Sequence, residues 1–176
     1  MFFGVILVAV ILMVVFVREE GEIKSPQSKN NLTDGDLKVE VAYGRPSKRE
    51  RDIFGALVPF DAIWRTGANE ATEFHTNKDL DFSGQSLKAG DYSLFTMPGK
   101  DNWKIYFNSV IPEWGVDENG KAFRDEKNDV LIVDGTPSLV NNVTETFTIS
   151  VSKADSVNNL VFSWDKTKVV VPFKVK

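Results

Sequence analysis

A small set of side chains in this sequence has the chemistry to bind or transform a polar ligand. The set comprises Tyr43, Arg45, Arg65, Asn69, Glu70 and Glu145. A guanidinium offers a planar fork of donors that fits carboxylates and other oxyanions. Two interpretations follow, and both remain open from the residues alone. The set forms either an Arg–Glu network that pins an irregular stretch to the fold, or a pocket for an anionic or polyol ligand.

Glu145 is expected to point into the protein interior. It lies on the same alternating face as Phe147, Ile149 and Val151, which we predict to be buried on a strand. A carboxylate aimed at a core must be ion-paired or hydrogen-bonded, because an isolated buried charge is very costly. The pattern therefore predicts that Glu145 or Glu70 pairs with Arg65.

The sequence excludes several other kinds of site. It contains no cysteine, and His75 is its single histidine, so disulfides, thiolate metal sites and histidine clusters are ruled out. No phosphate-binding glycine loop and no G-x-S-x-G nucleophile motif is present. We therefore predict no metal and no cofactor. A net charge of −4 without a basic stripe also argues against a nucleic-acid partner.

The scaffold that carries these residues is predicted to be all-β. Apolar and polar residues alternate along short segments, and turn sequences such as 89–91 and 134–135 separate them. This pattern predicts an antiparallel sandwich or flattened barrel of about eight or nine strands, spanning residues 37–176. Residues 37–43 and 168–173 are its expected first and last strands.

A hydrophobic segment precedes the predicted domain. Residues 2–17 are apolar throughout and carry no charge, which predicts a hydrophobic helix that serves as a transmembrane anchor or a signal segment. The lack of a basic start and of a small-residue cleavage site favours an uncleaved anchor. Residues 18–36 are polar and are predicted to form a solvated linker. Arg18, Lys24 and Lys29 follow the segment, and by the positive-inside rule they favour a cytoplasmic domain.

Several motifs resemble the bacterial domain-of-unknown-function family 2911. They are residues 43–46 (YGRP), 51–55 (RDIFG), 57–60 (LVPF), 64–72 (WRTGANEAT), 89–94 (AGDYSL), 98–100 (PGK), 145–147 (ETF) and 164–167 (WDKT). The resemblance covers residues 25–173 and implies a secreted or membrane-anchored protein, but no particular activity. Where the family usually has Lys-Gly, this chain has Arg49-Glu50, which is expected to place a negative charge beside the pocket.

Together these observations predict a membrane-anchored β domain on the extracytoplasmic (periplasmic) side. We expect a non-catalytic binding or envelope-associated module whose partner is a small polar ligand or an envelope component. The alternative is a hydrolase or lyase acting on a glycoside-like substrate, with Glu70 or Glu145 as general acid or base beside Arg65.

Overall fold

The chain folds into two antiparallel β-sheets. The computed structural model describes Met13 and residues 25–176, and within them ten strands are found. The strands are β1 (Gln27–Asp34), β2 (Leu37–Gly44), β3 (Thr72–Thr76), β4 (Leu80–Phe82), β5 (Gln85–Leu87), β6 (Gly90–Met97), β7 (Trp103–Asn108), β8 (Asp129–Gly135), β9 (Pro137–Ala154) and β10 (Val157–Val175). A short 3-10 helix, Glu126–Asn128, precedes β8. The prediction of an all-β antiparallel fold is confirmed.

One sheet has six strands in the order β1-β2-β3-β6-β7-β8, and the other has four in the order β5-β4-β10-β9. The main apolar core contains inward-facing residues of both sheets, for example Val41 and Phe74 from the first, and Ile149 and Phe162 from the second. These four side chains are at most 1% exposed. Burial of this apolar surface is the main force that holds the two sheets together.

The last strand explains a change of phase in the sequence. Leu160, Phe162 and Trp164 are buried at even positions, whereas Val169 and Val171 are buried at odd positions. The pairing of β10 with β9 shifts register on both sides of Asp165, which has a φ of 53°. The irregular backbone at Asp165 turns the following side chains of β10 to the opposite face. The two apolar stripes therefore belong to one continuous strand.

The structure differs from the prediction at part of the expected linker. Residues 27–34 form β1, which pairs along its whole length with β2 at the edge of the larger sheet. None of its side chains is fully buried. Backbone hydrogen bonds hold β1 in place, so the strand does not need a row of apolar side chains. Its sequence therefore lacks the alternation of apolar and polar residues that revealed the other strands. A side-chain contact also joins it to the other sheet, since the amide nitrogen of Val151 donates to Asn30 Oδ1 over 2.7 Å.

The predicted hydrophobic helix at residues 2–17 lies outside the residues that the structure describes in full. Among the described residues, no helix has the length and apolar character needed to cross a membrane.

Candidate functional site

The irregular stretch that follows β2 is attached to the smaller sheet by backbone pairing. The amide nitrogen of Phe147 donates to the carbonyl of Pro46 over 2.9 Å, and that of Lys48 donates to the carbonyl of Glu145 over 2.7 Å. The segment therefore continues along β9 as a short extra ladder. This contact carries the chain from the six-stranded sheet across to the four-stranded one.

The stretch then returns to the larger sheet at Trp64. Trp64 and Thr96 exchange backbone hydrogen bonds of 2.7 and 3.0 Å, so residue 64 pairs with β6. A tight turn follows, in which Thr66 and Asn69 have φ values of 60° and 65°. The Thr66 hydroxyl donates to Thr96 Oγ1 over 3.0 Å, and the Thr72 hydroxyl donates to the Thr66 carbonyl over 2.7 Å. Buried threonines thus fix the left-handed backbone of the turn.

Beneath this turn lies a cluster of aromatic rings. Trp64 stacks on Trp164 with ring centroids 5.9 Å apart and planes 15° apart, and Phe147 packs against both. Phe54 contacts both tryptophans and also meets Trp103 edge-on, with ring centroids 4.9 Å apart. Rings packed in this way form a rigid floor, because each ring is held by several neighbours.

A cleft of about 590 Å³ opens above this floor, and we call it the Arg65 cleft. Its charged lining residues are Arg49, Arg51 and Arg65, and no carboxylate, histidine or lysine lines it within the described part of the chain. Trp64 and Trp164 contribute aromatic surface. The remaining lining residues are Ser25, Pro46, Ser47, Leu57, Val58, Pro59, Ala62, Ile63, Gly67, Ala68, Asn69, Val116, Gly120 and Ala122. The cleft is therefore cationic and otherwise mostly apolar.

Arg65 is partly buried and is positioned by backbone. Its Nε donates to the carbonyl of Gly67 over 3.2 Å. Its aliphatic stem packs on Gly115, where a Cβ atom would lie 2.7 Å from Arg65 Cδ. Burial lowers the pKa of the Arg65 guanidinium from its usual value. A guanidinium still remains charged at any physiological pH, because its usual pKa is so high.

The side chains of three predicted site residues form hydrogen bonds with other parts of the protein. Tyr43 is buried, and its hydroxyl accepts a hydrogen bond of 2.9 Å from the amide of Ile149. Arg45 donates to the carbonyl of Phe147 and to Thr148 Oγ1, at 3.3 and 3.2 Å. Asn69 lines the Arg65 cleft, and its side chain donates to the carbonyl of Ser25 over 3.4 Å. Of the three, Asn69 alone lines the cleft.

The two predicted carboxylates do not pair with Arg65. Glu70 accepts a hydrogen bond from Gln27 Nε2. Glu145 is exposed, and its Oε1 accepts from the amide nitrogen of Arg49 over 2.9 Å. The expectation that Glu145 points inward is therefore wrong. Its part of β9 lies next to the register shift opposite Asp165, where the simple alternation of faces no longer holds.

A second cleft of about 620 Å³ lies on the other side of the 52–60 segment, and we call it the Phe54 cleft. Its lining includes the aromatic residues Phe54, Phe60 and Trp103 and the carboxylates Asp52 and Asp165. Asp165 is ion-paired with Lys48 Nζ at 3.3 Å. Alternation of residues gave no signal for this cleft, because its walls combine turns with residues of three strands, β7, β9 and β10.

The fold and the site define an all-β domain of two sheets with an arginine-lined cleft above an aromatic floor. The chain belongs to the family of proteins of unknown function DUF2911, whose model matches residues 25–173. No curated protein and no solved structure matches the chain. Each of the motifs at 43–46, 51–55, 57–60, 64–72, 98–100 and 164–167 contributes at least one lining residue to the two clefts.

Proposed function

We propose that this protein is a membrane-tethered, extracytoplasmic binding module without catalytic activity, and that its ligand site is the Arg65 cleft. The observation that carries this proposal is the composition of the cleft. General acid–base catalysis uses His, Asp, Glu, Lys, Tyr or Cys, and none of these lines the cleft among the described residues. The volume of the cleft falls within the range of about 300–1,000 Å³ that small-molecule sites occupy.

The cleft has the features of a preformed binding site. Its floor is a packed aromatic cluster, and its walls are tied to both sheets through Pro46 and Trp64. A site on such a scaffold needs little rearrangement to accept a ligand, and pre-organisation of this kind favours affinity. The apolar lining suits the body of a small polar molecule, and the guanidinium groups suit its polar end.

The alternative is a hydrolase or lyase that uses Glu70 or Glu145 beside Arg65. Neither carboxylate lines the Arg65 cleft or the Phe54 cleft. The carboxylates that do line the Phe54 cleft are Asp52 and Asp165, and Arg65 does not line that cleft. The geometry therefore favours binding over catalysis.

The test of the binding function is a tryptophan-fluorescence titration of the full-length chain in detergent with a panel of small molecules. The panel contains neutral sugars, polyols, amino acids, dicarboxylates and inorganic phosphate. We expect a saturable change with at least one compound, and its loss in Trp64→Phe. A Trp114→Phe variant is the matched control, because Trp114 does not line the cleft. No response from any compound, or turnover of a bound one, would refute the proposal.

The location has its own test, which is protease digestion of spheroplasts that express the full chain. We expect the domain to be digested while a cytoplasmic control protein stays intact. A protected domain would instead support the cytoplasmic orientation that the positive-inside rule favours.

A further inference from the structure

Among residues 25–176, the outer end of Arg65 has no counter-ion. Its Nε already donates to the carbonyl of Gly67, and Gly115 supports its stem. Within residues 25–176, no Asp or Glu lies within ion-pair distance of the guanidinium, and no further acceptor contacts it. The four N–H groups on its two Nη atoms therefore remain as donors. A desolvated cation with unused donors is costly, and an incoming anion would offset that cost.

The other charges around the cleft do not neutralise Arg65. Arg51 donates to the carbonyls of Lys48 and Ser47, at 2.9 and 2.6 Å, so its side chain is held at the rim by backbone. The nearby carboxylates have other partners, since Glu145 accepts from the Arg49 amide and Asp165 pairs with Lys48. Among the described residues that line the cleft, no carboxylate is therefore available to pair with Arg65.

Glu50 adds no negative charge to the lining of the Arg65 cleft. The departure from the family pattern at this position predicts a negative charge beside the pocket. In the structure Glu50 is exposed, and it is absent from the lining, whereas its neighbours Arg49 and Arg51 both line the cleft. Solvent therefore screens the charge of Glu50.

We infer that the ligand of the Arg65 cleft carries an oxyanion, a carboxylate or a phosphate, which accepts two parallel hydrogen bonds from the Nη atoms of Arg65. This inference rests on the proposed binding function and names its ligand class. The positive charge of Arg51 at the rim attracts the anion, and Trp64 and Trp164 supply apolar surface for the rest of the molecule. A guanidinium that points end-on at a ligand suits such a two-point contact, which a lysine could not reproduce.

The test measures fluorescence titrations of the full-length chain with succinate, inorganic phosphate and the neutral polyol sorbitol, at ionic strength matched with potassium chloride. Arg65→Met keeps an apolar stem of similar length but removes the guanidinium and its N–H donors. Arg124→Met is the matched control, because Arg124 lies outside the cleft in an ion pair with Asp129. We expect an anion to bind the wild type more tightly than sorbitol. We also expect Arg65→Met to weaken that anion roughly 10- to 100-fold, as for lost hydrogen bonds to a charged group, with Arg124→Met near wild type.

The two anions separate the possible sources of the oxyanion, since succinate reports a carboxylate ligand and phosphate a phosphorylated one. The inference is overturned if sorbitol binds at least as well as both anions, or if Arg65→Met binds the anion as tightly as the wild type does. In either case the binding function itself would stand if Trp64→Phe still abolishes the response, because that loss places the ligand in the cleft. Absence of binding by all three probes would overturn the inference as well.

Discussion

Gly44 and Ala68 are in backbone contact that leaves no room for a side chain at Gly44. A Cβ atom placed on Gly44 would lie 2.0 Å from the carbonyl oxygen of Ala68. Through this contact the end of β2 supports the turn that carries Arg65 and Asn69. The glycine is required here by the close approach of two backbones rather than by its own conformational freedom.

Gly44→Ala should therefore destabilise the protein by about 3 kcal/mol, the upper end of the usual cost of overpacking, because the obstacle is backbone. Gly35→Asn is the matched control. Gly35 has a φ of 59°, and a Cβ atom there would meet no other atom within 4 Å. Asparagine tolerates that conformation, so the loss in the control should stay below about 1 kcal/mol. Urea denaturation with equal slopes gives both values. Similar losses in the two variants would contradict the assigned contact.

Arg65→Met should leave the free energy of unfolding unchanged or raise it by up to about 1 kcal/mol, because it removes a desolvated charge that has no ion-pair partner in the described part of the chain. Arg124→Met should instead cost roughly 3 kcal/mol, since it strands Asp129, to which Asn108 still donates. Chemical denaturation of both variants tests the contrast. A loss above about 2 kcal/mol in Arg65→Met would indicate a structural role for its charge.

Glu50→Gly should stabilise the protein by about 0.5–1 kcal/mol. Glu50 has a φ of 60°, a left-handed conformation that costs an ordinary residue about 1–2 kcal/mol and costs glycine almost nothing. Glu118→Gly is the control, because Glu118 is exposed and is absent from the residues with positive φ. Thermal unfolding compares the two, and a gain in the control equal to that of Glu50→Gly would remove the conformational explanation.

Asp79 should contribute to the acid sensitivity of the fold. Hydrogen bonds from Lys88 Nζ at 2.8 Å and from the Ala89 amide at 2.9 Å hold the pKa of Asp79 below its ordinary value of 3.8. The folded state therefore binds fewer protons than the unfolded state. The resulting stability is present above pH 3.8 and is lost as the pH falls from there through the lower folded pKa.

Asp79→Asn should remove this contribution. The stability difference between wild type and variant should be largest near neutral pH and should shrink as the pH drops below about 3.8. Urea midpoints measured across the acid range provide the comparison. A difference that stays constant with pH would show that the ionised carboxylate has no stabilising role.

The sequence predicted the parts of the fold that depend on side-chain burial. It did not predict the parts whose structure is determined by backbone contacts. Strong alternation identified β2, the inner part of β9 and both halves of β10. It missed β1, whose polar side chains lie at a sheet edge and whose pairing is made by the main chain. It also assigned Glu145 to the wrong face of β9. Three residues of β9, 145–147, stand opposite the single residue Trp164 of β10, and the alternation of residue types does not reveal this irregularity.

The candidate site shows the same division. Arg65 and Asn69 were identified from their residue types within an irregular stretch, and both line the cleft. The partners predicted for Arg65 were wrong, since they rested on parity along β9 and on adjacency in sequence. The role of Gly115 beneath Arg65 was also missed, because a contact between residues fifty positions apart depends on the three-dimensional path of two loops.

The position of Ser25 sets how far the Arg65 cleft can stand from the proposed anchor. Ser25 lines the cleft, and seven residues, 18–24, separate it from the hydrophobic segment at 2–17. Even a fully extended chain of this length spans only about 25 Å, at roughly 3.3–3.6 Å per residue. With the segment embedded in a bilayer, the mouth of the cleft would stay within one domain's width of the lipid headgroups. The short linker would therefore restrict ligand binding to the layer of solvent next to the membrane.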